Sequence, residues 1–274
     1  MSTSLSRRQF LTLAGSAAGV LGLGLVGCGS SSDSGSSTTS DASSSAASAD
    51  GSATYIVAMD TVFAPFEYTD ESGNFVGIDV DLLDAIAADQ GLTIDKQSLG
   101  FDAALAALQA GQADAVMAGM GINDERKKKY DFSEKYFESS SCIACKAGVG
   151  LSGLEAIKGK KAAVKTGSQG SEWAESLKDE YELTLTYFDT SDLMYQDVLT
   201  GNSDLCFEYY PVIDYGCKHD NGLAIVYKNP ENTNSCGFAV QKGQNAELLE
   251  KFNAGLANLH SNGEYDKIVA KYID

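Results

Sequence analysis

Apolar and polar positions along this chain switch repeatedly between two periods. Thr54-Tyr55-Ile56-Val57-Ala58-Met59 is a dense apolar run bounded by Asp60, the pattern of a first strand. Ile78, Leu82, Leu83 and Ile86 then recur at helical spacing and predict a helix over 78–88. The same reading predicts strands over 92–98, 114–120, 142–146, 161–165, 183–188, 204–208, 223–227 and 237–241. Helices are predicted over 103–110, 124–130, 171–178, 191–199, 211–217, 245–260 and 263–272. Strands alternating with helices predict an α/β molecule of parallel sheets covered on both faces, and two such runs over this length predict two lobes. In an open α/β sheet the crevice lies beyond the carboxyl ends of the strands. Chemistry is therefore expected at 60–63, 101, 119–121, 165–170 and 208–210.

The pattern before residue 54 is of another kind. Ser6-Arg7-Arg8-Gln9-Phe10-Leu11 precedes a largely apolar run over 11–26, which has the length of an export-signal core. The paired Arg resembles the twin-arginine signal, and Leu25-Val26-Gly27-Cys28 resembles a lipobox, in which Cys28 takes the lipid and the chain is cut before it. Residues 1–27 are thus expected to be removed, and Cys28 to anchor the product to a membrane. Residues 28–52 are mostly Ser, Ala, Thr, Gly and Asp, and read as a disordered tether.

Charge and composition narrow the partners. The 274 residues hold 20 Lys+Arg against 38 Asp+Glu, a formal charge of −18, which opposes binding to nucleic acid or to an anionic lipid surface. Two His and six Cys without paired spacing offer no structural metal site. The turn over 166–171 lacks the spacing of a nucleotide loop, so no cofactor is expected.

What remains suits a small zwitterion. Arg126 follows the small-residue loop Ala118-Gly119-Met120-Gly121 and can clamp a carboxylate through two charge-assisted bonds; its plain alternative is a solvated helix end. Thr166-Gly167-Ser168-Gln169-Gly170-Ser171 leads from a strand into a helix, either an anion nest or an ordinary turn. Phe63, Phe66 and Phe101 read as the walls of an apolar slot or as core. Glu208, beside Tyr209 and Tyr210, ends a buried strand, where a carboxylate meets an ammonium or simply faces solvent.

These stretches together resemble the extracytoplasmic solute-binding proteins of polar amino acid ABC transporters, the family that includes the glutamine-binding protein. The resemblance rests on 58–68 (Ala58-Met59-Asp60-Thr61-Val62-Phe63-Ala64-Pro65-Phe66-Glu67-Tyr68), Gly77-Ile78-Asp79-Val80-Asp81-Leu82, the run from Ala118 to Lys127, Asp131-Phe132-Ser133, Ala163-Val164-Lys165-Thr166-Gly167-Ser168 and Asn262-Gly263-Glu264-Tyr265. It implies a two-lobed periplasmic-binding-protein-like fold of type II. Each lobe would be a mostly parallel sheet flanked by helices, with two crossover segments as hinge. Lobe one would comprise 53–139 plus 236–274, and lobe two 140–235. Carried over by motif, Arg126 would pair with an α-carboxylate, helped by amides near Gly121 and Gln169. The Gly119 carbonyl would accept from the α-ammonium. Phe63 and Phe101 would sandwich the side chain, with Asp60 and Lys165 at its polar end. The partners implied are a polar amino acid or related solute and an ABC permease, the protein being a monomer and no enzyme. A dehydratase of the prephenate or arogenate type and a sensing module for a membrane receptor are the alternatives.

Two positions depart from the family pattern. Tyr209 stands where an ammonium-binding Asp is usual, with Glu208 one step earlier and so directed to the other side of the strand. Gly121 stands where Thr or Ser is usual, which predicts a roomier site, and the two departures leave open a modified amino acid, a peptide-like ligand or a carboxylate without an amine. Outside the cell a disulfide is the ordinary expectation, with buried free thiols as its alternative. Cys142 and Cys145 point to opposite faces of one strand, leaving Cys236 at the other crossover as a partner for either.

Overall fold

The computed structural model describes residues 54–231 and 234–273. The expected leader, Cys28 and the tether lie outside the described residues. The chain first lays down β1 (Thr54–Met59), the short pair β2 (Tyr68–Thr69) and β3 (Phe75–Val76), α1 (Ile78–Gln90), β4 (Thr93–Ser98), α2 (Phe101–Gln109), β5 (Ala115–Val116), α3 (Asp124–Lys127) and β6 (Tyr130–Phe132). It then crosses through β7 (Phe137–Ser139) into β8 (Ser141–Lys146), β9 (Lys161–Lys165), α4 (Gln169–Leu177), β10 (Thr184–Phe188), α5 (Ser191–Thr200), β11 (Leu205–Tyr209), α6 (Tyr210–Lys218) and β12 (Leu223–Lys228). It returns through β13 (Asn234–Cys236) to β14 (Ala239–Gln241), α7 (Ala246–Asn262) and α8 (Glu264–Ala270).

Two five-stranded sheets result, ordered β4-β1-β5-β14-β6 and β10-β9-β11-β8-β12. Three neighbouring strands of each are parallel; the other two run antiparallel to their neighbours. The sheets are therefore mixed where parallel pairing was expected to dominate, because β14 and β8 are the strands that follow a crossing and enter their sheets from the opposite end. Each sheet is covered on both faces. Ile78, Leu82, Leu83 and Ile86 of α1 pack with Leu248, Phe252 and Leu256 of α7 on one face of the first sheet, and α2 covers the other. In the second lobe Trp173 and Ala174 of α4 cover one face, and Met194 and Val198 of α5 with Ile213 of α6 the other.

The two crossing segments pair with each other. β7 and β13 form a two-stranded antiparallel ladder that matches Ser139 to Asn234 and Phe137 to Cys236. Neither strand was expected from the sequence, nor was β6, where a helical turn to Tyr130 was predicted. Three residues are too few to show a period. The strand expected over 114–120 pairs only at Ala115 and Val116. Beyond them the chain leaves the sheet, and Gly119 takes a left-handed φ of 53°. No disulfide joins the described cysteines. Cys142 and Cys145 do lie on opposite faces of β8, in the two different cores of the lobe. Among the described residues no helix is long and apolar enough to cross a membrane.

Candidate functional site

The strand ends of the two lobes face one another across a narrow cleft. The first lobe contributes Phe63 from the turn after β1, Phe101 from the first turn of α2, Gly119 and Gly121 from the loop after β5, and Arg126 from α3. The second contributes Lys165 from the end of β9, Gln169 from the start of α4, and Glu208 and Tyr209 from the end of β11. Of the residues singled out in the sequence, Asp60, Phe66 and Tyr210 do not line the cleft directly: Asp60 pairs with Lys165, which does, and Phe66 is core, packed behind Phe63 and Tyr209. The remaining space is about 30 Å³, room for a water or two.

Arg126 is buried and spans the lobes. Asn123 caps α3 by accepting from the Arg126 amide at 2.8 Å, which fixes where the side chain leaves the helix. Its guanidinium donates to the Gly121 carbonyl at 2.6 Å and to the Gly167 carbonyl of the other lobe at 2.8 Å, and lies 5.6 Å from the Phe101 ring centre. Burial lowers its pKa and the nearby Glu172 carboxylate opposes that, so the cation persists at any ordinary pH.

A second cation sits deeper. The Lys165 ammonium donates to the Asp60 carboxylate of the other lobe, and both side chains are only 3% exposed. Lys165 Nζ lies 4.4 Å from the Phe63 ring centre and 5.3 Å from that of Phe101. The two aromatic walls thus enclose an internal ion pair, with the cation over ring faces that attract it.

Glu208 and Tyr209 diverge, as neighbours on a strand do, yet both reach the cleft. The Glu208 carboxyl turns toward α5, accepting from Ser191 Oγ at 2.8 Å and Tyr195 OH at 3.2 Å, and takes the Tyr209 amide at 2.8 Å. Burial raises its pKa, against the Lys165 charge and these donors. The Tyr209 ring packs on Phe66 and Phe137, and its hydroxyl donates to the Asn234 carbonyl at 3.2 Å. The Cys236 thiol donates to the Gly119 carbonyl at 3.3 Å instead of joining a disulfide.

The glycine at 121 does not make the cleft roomier. A Cβ on Gly121 would fall 1.8 Å from Oε1 of Gln169, so the side chain of the opposite lobe fills the space a Thr would take. A Cβ on Gly119 would strike the Phe63 ring at 2.5 Å, which with its left-handed φ makes glycine the fitting residue there. Sequence reasoning missed Asn234 as a lining residue, while Ser168 and Gly170 fall in the expected turn over 166–171 and Ala118 in the small-residue loop. Ser168 carried a signal, a Ser just before a helix; it caps α4 by accepting from the Ser171 amide at 3.1 Å. The amides of Gln169 and Gly170 then stand in the first turn of α4, where no carbonyl of the helix reaches them. Asn234 carried none, because its place depends on the pairing of the two crossings.

A sequence profile of the bacterial extracellular solute-binding proteins, family 3, matches residues 55–274. A probable histidine-binding protein of Neisseria gonorrhoeae is 33% identical over 228 residues, covering 82% of this chain and 85% of its own. Among solved structures, an ancestral arginine-binding protein bound to arginine superposes with a TM-score of 0.75 at 36% identity, over 81% of this chain and 98% of that one. An ancestral arginine-binding protein bound to glutamine gives 0.73 at 36%, over 80% and 97%.

Proposed function

Because this chain belongs to the bacterial extracellular solute-binding proteins, family 3, we propose that it captures an α-amino acid with a neutral polar side chain and presents it to an ABC importer from a lipid anchor at Cys28. The observation that carries the reading is the buried Asp60–Lys165 pair between Phe63 and Phe101. A cationic ligand side chain would meet a carboxylate already neutralised, beside a like charge. An anionic one would meet Lys165 but also Asp60. A carboxamide suits both: its oxygen accepts from Lys165 and its NH2 donates to Asp60, with charge-assisted bonds of roughly 1.5–3 kcal/mol each. At the other end Arg126 and the first amides of α4 suit the α-carboxylate. The Gly119 carbonyl and Glu208 suit the α-ammonium.

This is the reading of a binder. Glu208 is surrounded by groups that donate to it, and Lys165, whose charge reaches it, is already paired with Asp60. Lys165 occupies the aromatic slot in the closed form, so a ligand enters when the lobes part and Lys165 is drawn aside.

A calorimetric and thermal-shift panel tests the reading: L-glutamine, L-asparagine, L-arginine, L-glutamate and the amine-free analogue of the best binder. The amides are expected to bind at least about tenfold more tightly than arginine or glutamate. A ligand at 100 times Kd adds about 2.7 kcal/mol of stability, or a midpoint rise of about 5–10 °C. Arginine binding more tightly than any amide would overturn the reading. So would equal affinity for the amine-free analogue, which leaves Glu208 without a role.

A further inference from the structure

Behind the cleft lies a second pair of acidic residues, and this pair has no cation. Glu67 and Asp79 are both fully buried. Neither carboxyl oxygen of Glu67 has a hydrogen-bond partner, nor has Oδ1 of Asp79. The other Asp79 oxygen is committed: Oδ2 accepts from the Gly119 amide at 2.8 Å and from the Tyr136 hydroxyl at 2.7 Å. The Asp79 amide donates to the Phe66 carbonyl at 2.9 Å, which sets Asp79 beside Glu67, and the two buried carboxyls act directly on each other. Ionised carboxylates only accept, so two of them placed together repel and leave their inner oxygens bare. A single proton between them removes both penalties.

We propose that Glu67 and Asp79 share one proton, Glu67 donating to Asp79 Oδ1, and that this pair positions two walls of the solute cleft. The connections are short. Glu67 exchanges backbone bonds with Phe63, its carbonyl accepting at 2.7 Å and its amide donating at 3.3 Å. Asp79 holds the Gly119 amide and so fixes the direction of the Gly119 carbonyl. The pair therefore fastens the Phe63 turn to the loop after β5. The other groups that face it are Tyr136, which donates to Asp79, the Cys236 thiol, and the Asp60–Lys165 pair, whose opposite charges act on Glu67 in opposite senses. Burial raises the pKa of both carboxyls, and the Asp79 charge raises that of Glu67 further.

The sign follows from counting protons. At neutral pH the folded pair holds one and the unfolded chain none, so stability falls as pH rises, from the ordinary carboxylate range until the folded pair lets its proton go. One proton corresponds to a midpoint loss of about 3–5 °C per pH unit. Glu67→Gln keeps a donor toward Asp79 Oδ1 without a titrating proton, so its midpoint should lack this slope. Infrared difference spectra of the purified protein should show a protonated-carboxyl band at pH 7 that survives in Glu208→Gln and disappears in E67Q. Amide exchange at Gly119 should be at least about tenfold faster in Glu67→Ala than in E67Q at the same pH, because only the amide restores the donor.

All three readouts are independent of which solute binds, so they stand if the ligand assignment fails. Absence of the band from the wild type at pH 7 overturns the proposal, even if E67Q or E67A fails to fold. A midpoint slope identical in E67Q and wild type also overturns it. Equal Gly119 exchange in E67A and E67Q overturns the positioning role.

Discussion

Lys165 and Asp60 illustrate how much a single buried pair decides. Removing one partner of such a pair costs roughly 3–5 kcal/mol when the other charge stays buried. Here the partners belong to different lobes, so the cost has an escape: the lobes part and water reaches Asp60. Lys165→Leu is therefore expected to open the unliganded protein more than to unfold it. It also leaves a carboxylate between two aromatic rings, a site for a cation. Calorimetry should find that K165L gains at least about tenfold in arginine affinity relative to the wild type, while glutamine affinity falls. Unchanged arginine affinity would mean that Lys165 does not set the charge of the ligand. At this scale the sequence was informative where a motif named the residue. Arg126, Phe63, Phe101 and Lys165 were singled out in advance and all line the cleft. It misled at Gly121, because the space beside a glycine belongs to whichever side chain comes across from the other lobe, and that is Gln169.

The helix α4 connects the two charged regions of the cleft. Ser168 both caps it and donates to the Lys165 carbonyl at 2.8 Å, so one hydroxyl joins the end of β9 to the helix start. Ser168→Ala should lower the thermal midpoint by about 2–4 °C, the effect of a typical cap of about 1 kcal/mol. It should also weaken a bound α-carboxylate, since the amides of Gln169 and Gly170 lose their fixed direction. A midpoint within 1 °C of the wild type, set against that expected loss of about 2–4 °C, would show that the cap carries no stability. Elements of this length, with a period and a cap residue, were readable from the sequence to within about two residues at their ends. The hinge was not. β7 and β13 are each three residues long and nearly a hundred residues apart, and pair only because both lobes have folded. The same cause hid the antiparallel strands: whether a strand enters its sheet parallel or reversed depends on the side from which the crossing delivers it, which no local pattern records.

Closure of the whole molecule rests on contacts of unequal weight. Asn123 donates to Glu172 across the cleft at 2.8 Å, but both are partly exposed, and such a contact contributes about 1 kcal/mol or less. Tyr215 and Tyr68 bring their hydroxyls to 3.2 Å across the lobes, again with solvent near. The buried contacts include the Tyr209 ring on Phe66, Asp60 with Lys165, Arg126 with the Gly167 carbonyl, and Gln169 against Gly121. The last allows closure to be tested without touching a charge. Gly121 has no left-handed φ, so a Thr there carries no backbone strain. The atoms nearest to its Cβ are those of the flexible end of Gln169, met when the lobes close. Gly121→Thr should thus keep the unliganded thermal midpoint within about 1 °C, as a substitution without a core penalty does. It should reduce affinity about tenfold for the best amino acid of the panel, and the ligand-induced compaction seen by small-angle scattering should shrink with it. Adding Gln169→Ala should return both, so that the double variant binds better than G121T alone. That non-additivity is the signature of two residues in direct contact. Equal losses in G121T and the double variant would place the defect within the first lobe and remove Gln169 from the closing surface.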